Sequence, residues 1–205
     1  MAEVTTYSFQ EGLLDTVLGA MRPIEVVDDR GTVAGRIVRG ELDGCERSGT
    51  FRYEPAGGAP TEVGVRRMTA RTVLGRLLRP TYVVTHGEER WELKDLPGEN
   101  ILCFALAGEV AGLRLDARED WDGSIEVVAR EPGDRSKRGA RRVCRFNSGD
   151  LLVRTAVRVD EALLGRLCDA PDPRGTALFG VLVLLPFLHR VYRQESSLID
   201  ELFFG

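Results

Sequence analysis

Apolar and polar positions follow two patterns along this chain. Between residues 20 and 158 they alternate in short runs broken by Gly-, Pro- and Asp-rich turns; from residue 177 to residue 188 polar side chains stop altogether. Alternation puts one face in a core and the other in water, as an antiparallel barrel or sandwich requires. Thus Ile125, Val127 and Ala129 share a face against Glu126 and Arg130, and Leu151, Val153 and Val157 oppose Arg154 and Arg158. Hairpins are predicted for 24–27 with 32–38 across Asp28-Asp-Arg-Gly31, 50–53 with 61–66 across 55–60, 81–85 with 90–93 across His86-Gly87, and 101–106 with 110–115 around Gly108. Adding 6–9, a run near 72–78, and 143–146 brings the count to about a dozen strands.

At Asp160 the period becomes helical. Asp160 suits an N-cap, Val159 and Leu164 are spaced as a hydrophobic staple, and Leu163, Leu164 and Leu167 form a stripe, so a short helix is predicted over about 160–169. Pro171-Asp-Pro173 stops it. The apolar run then forms a second helix over about 175–193, followed by a short amphipathic tail, 196–205.

A segment without a polar face must be enclosed by lipid or by protein. Twelve helical residues rise about 18 Å, against a hydrocarbon core of roughly 30 Å that takes about 20 apolar residues. Arg174 precedes the run, His189, Arg190 and Arg193 follow it, and Pro186 should kink it or end its regular hydrogen bonding. Protein is the better enclosure, and no transmembrane span is expected. Eight strands already close around a lumen that side chains just fill, so a dozen leave room for an apolar helix about 10–12 Å across. Strands of five to seven residues give a barrel roughly 15–20 Å tall, which the run matches. The predicted fold is mainly β: one domain over 1–205, with strands over about 5–158 closed into an antiparallel barrel around a hydrophobic C-terminal helix.

Composition narrows the function. A formal net charge of −4 disfavours a nucleic-acid partner, which wants a basic domain. Cys45, Cys103, Cys144 and Cys168 form no C-x-x-C pair, which disfavours zinc; Cys103 and Cys144 sit in strand patterns as reduced thiols. The N-terminus carries no secretory pattern, so the cytoplasm is the default address.

The chain resembles the tubby C-terminal-like superfamily, and most of all its bacterial LURP-one-related members, with phospholipid scramblases more distant. The resemblance covers roughly residues 5–193. It rests on Ile24-Glu-Val-Val-Asp-Asp-Arg-Gly31, Val33-Ala-Gly-Arg-Ile37, Arg79-Pro-Thr-Tyr-Val-Val84 and the run 177–188, and more on the order of elements than on any one motif. It implies a twelve-stranded barrel around a central helix. Pro186, His189 and the tail depart from the family pattern. The acidic calcium segment and cysteine cluster of scramblases are missing, and the phosphoinositide-binding basic residues of tubby proteins do not match position by position.

Candidate chemistry is sparse. His86 reads as a solvated turn residue and His189 as the exposed, dipole-favoured end of the apolar helix. Gly57-Gly58 lies between strands, without the helix that a phosphate loop needs, and Ser48-Gly49 and Ser148-Gly149 are not nucleophile elbows. Asp116, Glu119, Asp120 and Asp122, around Trp121, read as a solvated hairpin tip. The best-defined charged feature is the loop with Arg135, Lys137, Arg138, Arg141 and Arg142, a solvated loop between two strands or a grip for anionic lipid headgroups or other anions. Leu198, Leu202, Phe203 and Phe204 are the partner-docking candidates, with coverage of a barrel end as the alternative role. The reading is a non-enzymatic binding or scaffold module without catalytic residues, metal or cofactor. Its partner is a protein or an anionic phospholipid or phosphoinositide, met in the cytoplasm or peripherally at a membrane. A scramblase-like lipid mover is the alternative.

Overall fold

The computed structural model describes residues 4–9, 23–66, 80–96, 103–133, 141–147, 156–160, 163, 165 and 173–204, with side chains as far as 193. Twelve strands follow in chain order: β1 (Val4–Phe9), β2 (Ile24–Val27), β3 (Val33–Arg39), β4 (Thr50–Pro55), β5 (Thr61–Arg66), β6 (Thr81–His86), β7 (Glu89–Asp95), β8 (Ala105–Val110), β9 (Leu113–Glu119), β10 (Ser124–Arg130), β11 (Arg141–Asn147) and β12 (Ala156–Asp160). A helix, α1 (Pro173–Phe204), ends the chain. Each strand pairs antiparallel with the next, and β12 closes on β1 from Val4↔Asp160 to Ser8↔Ala156. The predicted closed barrel is therefore the fold.

Closure removes every sheet edge, and the alternation then has only one inside to fill. Ile37, Phe51, Tyr53, Val63, Val65, Tyr82, Val84, Ile125 and Val127 turn inward and pack against Leu178, Leu182, Leu184, Leu185 and Phe187 of α1. Phe179 meets the Tyr7 and Tyr53 rings with centroids 4.8 and 5.7 Å away, and Phe187 meets Phe9 and Phe51 at 5.5 and 5.4 Å. The stretch Pro173–Arg193 is 21 residues long with mean hydropathy 1.5, so by length and composition it could cross a membrane, although the twelve-residue run alone looked too short. Enclosure decides the matter: 72% of that window is buried inside the barrel.

The up-and-down order gives the barrel two unlike rims. The entrance rim, where α1 begins, carries the short turns 28–32, 56–60, 87–88 and 111–112, the end of β10 and the start of β11. The exit rim carries the 40–49 connection and the 120–123 turn, and there α1 runs out past Tyr192, whose hydroxyl donates to the Cys103 carbonyl at 3.3 Å.

The helix passes close to the wall at Gly180, where a Cβ would overlap Oγ1 and Cβ of Thr61. Thr61 is fully buried and holds the ring of His86, Oγ1 to Nδ1 3.0 Å, so it has nowhere to retreat. An exposed helical Gly→Ala change gains about 1 kcal/mol. Here the overpacking, up to about 3 kcal/mol, outweighs that gain. Gly180→Ala is expected to lower the urea-unfolding free energy by about 2 kcal/mol; a gain in stability would mean that α1 is not seated on β5.

Several expectations need correction. Pro186 neither ends nor divides the helix, and the tail 196–205 is not a separate element, since α1 is continuous to Phe204. The missing Pro N–H leaves one carbonyl unbonded, but the neighbouring residues are fully buried, so no water competes for the turn and the wall holds it. The fourth hairpin turns at Ala111-Gly112 (φ 52° and 77°), not at Gly108, which lies inside β8. A Cβ at Gly108 would strike the Glu92 carbonyl, so that glycine serves a close strand approach. The last strand is described over Ala156–Asp160, and 151–155 of the predicted run lie outside the described residues. Cys103 precedes β8, half-buried, while Cys144 is buried in β11 as expected. Leu163 and Gly165 are helical, and the Leu163 N–H donates to Asp160 Oδ1 at 2.8 Å as the predicted cap requires. The rest of that short helix and the run 72–78 lie outside the described residues.

Candidate functional site: an arginine-rich outer wall

Strand alternation sends every second residue of β9–β12 outward, and pairing register sets those residues side by side. Arg114 lies opposite Arg130, Asp116 opposite Val128, and Val128 opposite Arg142. One row runs across all four strands: Arg118, Glu126, Arg145 and Arg158. Thr6 of β1 follows, opposite Arg158. The bulge at Val127/Val128 brings Arg142 rather than Val143 into the outward register. Six arginines thus share a wall with three acids, Asp116, Glu126 and, at the end of β12, Asp160, which accepts the Leu163 N–H.

Those acids are already engaged. Asp116, nearly buried between its neighbours, pairs with Arg130 and, at 3.6 Å, with Arg114. Glu126 Oε1 accepts from Arg142 at 2.9 Å. Arg145 reaches Asp122 of the β9–β10 turn only at 3.6 Å, and among the described residues Arg118 and Arg158 have no ion-pair partner. Like charges directly opposite on neighbouring strands destabilise a sheet, and Arg145 faces Arg158 in that way. The rest of the barrel does otherwise. On the β3–β7 side Arg36 pairs with Glu54 at 2.7 Å, Arg52 with Glu54 at 3.4 Å, and Arg66 with Glu92 at 2.7 Å.

Of the predicted loop, Arg141 and Arg142 open β11 and are exposed, while Arg135, Lys137 and Arg138 lie outside the described residues. Arg142 joins the wall. Arg141 pairs with inward-facing Ala129 and stands at the rim. Leu198, Leu202, Phe203 and Phe204 belong to the backbone of α1 beyond the exit rim, and their side chains lie outside the described residues. Arg141 stands at the entrance rim, at the opposite end of the barrel from the end of the α1 backbone. Sequence reasoning missed the wall because a five-cation loop is visible as a run, whereas arginines spaced along four strands meet only through register.

The histidines correct their readings. His86 is the last residue of β6, buried rather than solvated; burial pushes its pKa down, against the opposing pull of Glu89 and Pro60. His189 is fully buried in mid-helix, its ring edge-on to Phe104 with centroids 5.2 Å apart. Its Nε2 lies 3.5 Å from Glu119 Oε2, an ion-pair distance without hydrogen-bond alignment, so neither ring nitrogen has a hydrogen-bond partner. Of the acidic cluster only Asp120 and Asp122 are solvated. Glu119 points inward, takes the Phe104 N–H at 3.0 Å, and pairs with Arg193. Burial pushes its carboxyl up, but His189, the Phe104 N–H and Arg193 together prevail and hold it at about 2. This set ties the exit end of α1 to β9. Among the described residues no group of three His, Cys, Asp or Glu could hold a metal. Comparison with protein-family models, curated proteins and solved structures gives no match.

Proposed function

We propose that the protein is a non-enzymatic binding module, working in the cytoplasm, whose β9–β12 wall docks on a membrane surface rich in anionic lipid. The reading includes the resemblance to the tubby-like superfamily. One observation carries it: Arg145 opposite Arg158, in one row with Arg118 across Glu126, within a six-arginine wall where Arg118 and Arg158 have no ion-pair partner among the described residues. A fold gains nothing from that arrangement, and an array of phosphate groups would relieve it. Arg141 and Arg142, the described part of the basic loop, open β11 of this wall. Nothing specific favours lipid movement over lipid binding.

Each basic residue near an anionic bilayer contributes about 1 kcal/mol. Arg145→Gln with Arg158→Gln is therefore expected to weaken co-sedimentation with phosphatidylserine-containing vesicles roughly thirtyfold. The thermal midpoint should hold or rise, because a repulsive pair is removed. Wild-type binding should fall as salt rises. Equal binding to purely zwitterionic vesicles, or a double variant that binds like the wild type, would refute the reading. An acidic protein partner would appear as a wall that ignores vesicles altogether.

A further inference from the structure

Trp121, at the tip of the β9–β10 hairpin, is 88% exposed. The other large apolar side chains exposed among the described residues, Val4 and Val33, open strands at the entrance rim, whereas Trp121 stands at the exit rim at the end of two arginine-bearing strands. The tip holds it out in a fixed frame. Asp120 Oδ1 accepts the Trp121 N–H at 2.8 Å, the Asp120 N–H donates to the Ser124 carbonyl at 2.7 Å, and Gly123 adopts φ 76°. Asp122 Oδ1 accepts the Ser124 N–H at 2.8 Å, while its other oxygen leans towards Arg145 of the wall. The tip is thus tied to the wall's outer side.

We propose that Trp121 is an interfacial anchor, entering the headgroup region of the anionic bilayer against which the β9–β12 wall docks. This rests on the lipid-binding reading of the wall. Stable peripheral binding takes two signals, and cations plus a wedge of apolar surface supply them. An indole, apolar in body and polar at its N–H, suits the headgroup level better than water or the acyl core. The Asp120 and Asp122 carboxylates oppose an anionic surface. Both are engaged by backbone N–H groups, and Asp122 also by Arg145.

The chain has two tryptophans, and the other, Trp91, packs half-buried against the core, so Trp91→Phe leaves Trp121 as sole reporter. Added to phosphatidylserine-containing vesicles with bromine on shallow acyl carbons, this variant should show blue-shifted, quenched emission; phosphatidylcholine vesicles alone should leave it unchanged. In the wild-type background, Trp121→Ser should weaken vesicle binding about tenfold, for partial burial of one large side chain, and leave the salt dependence as it was. Co-sedimentation with unchanged emission, or a Trp121→Ser protein that binds like the wild type, would refute the anchor while the wall reading stands. If no form of the protein sediments with anionic vesicles, the wall reading fails and the anchor with it.

Discussion

Leu184→Lys should leave no folded protein. Leu184 is fully buried in the middle of α1, on the barrel axis, with Val183 and Leu185 buried beside it and the inward side chains of the strands around it. A lysine there has no route to water, because both rims lie several residues away along the helix. Its ammonium would stand unpaired in an apolar interior, or give up its proton at a cost of the same kind. Either cost, added to the lost burial of a leucine, is several kcal/mol, against a total stability of about 5–15 kcal/mol for a domain. The expected result is an insoluble or fully exchanging chain without a cooperative unfolding transition. Leu184→Met, which keeps volume and polarity, should cost less than about 1.5 kcal/mol and separates this effect from simple intolerance of change. A soluble Leu184→Lys protein that unfolds cooperatively would remove the helix from the barrel axis.

The position of α1 was also the most legible part of the fold. Twelve consecutive residues without a charge or amide, after a dozen alternating runs, leave few ways to satisfy both patterns. What misled was local punctuation. Gly108 looks like a turn but is a strand residue that lets β7 and β8 approach, while the real turn opens on Ala111, a residue that carries no turn signal at φ 52°. His189 looked like a helix end because basic residues follow the apolar run. The helix in fact continues, and Glu119, seventy positions earlier in the chain, meets the imidazole inside the barrel. The arginine wall lay hidden for the same reason. Alternation predicts that Arg118, Arg145 and Arg158 face outward, but only strand register makes them neighbours. Non-local pairing is the information that a period cannot carry.

Glu119→Gln should loosen the exit end of the helix, and the size of the effect should depend on pH in a defined direction. Glu119 connects the end of β9 to α1 through Arg193 and His189, and to the segment before β8 through the Phe104 N–H; its side chain is 1% exposed. Removing its charge leaves His189 buried beside a neutral amide and frees Arg193, which is 47% exposed, to swing into water. Breaking a buried pair on one side costs about 3 kcal/mol or more. Glu119 is held at about 2, below its ordinary 4.5, so its contribution is complete above about pH 5 and fades as pH falls towards 2. The gap between wild type and Glu119→Gln in urea-unfolding free energy should therefore be widest at neutral pH and nearly close by pH 2. The amides of 104 and 119, which exchange hydrogen bonds with each other or with the carboxylate, should lose exchange protection in the variant before those of β4 and β5 do. A gap that stays constant from pH 7 to pH 2 would mean that Glu119 stabilises the exit rim through shape and packing alone, with no part played by its charge.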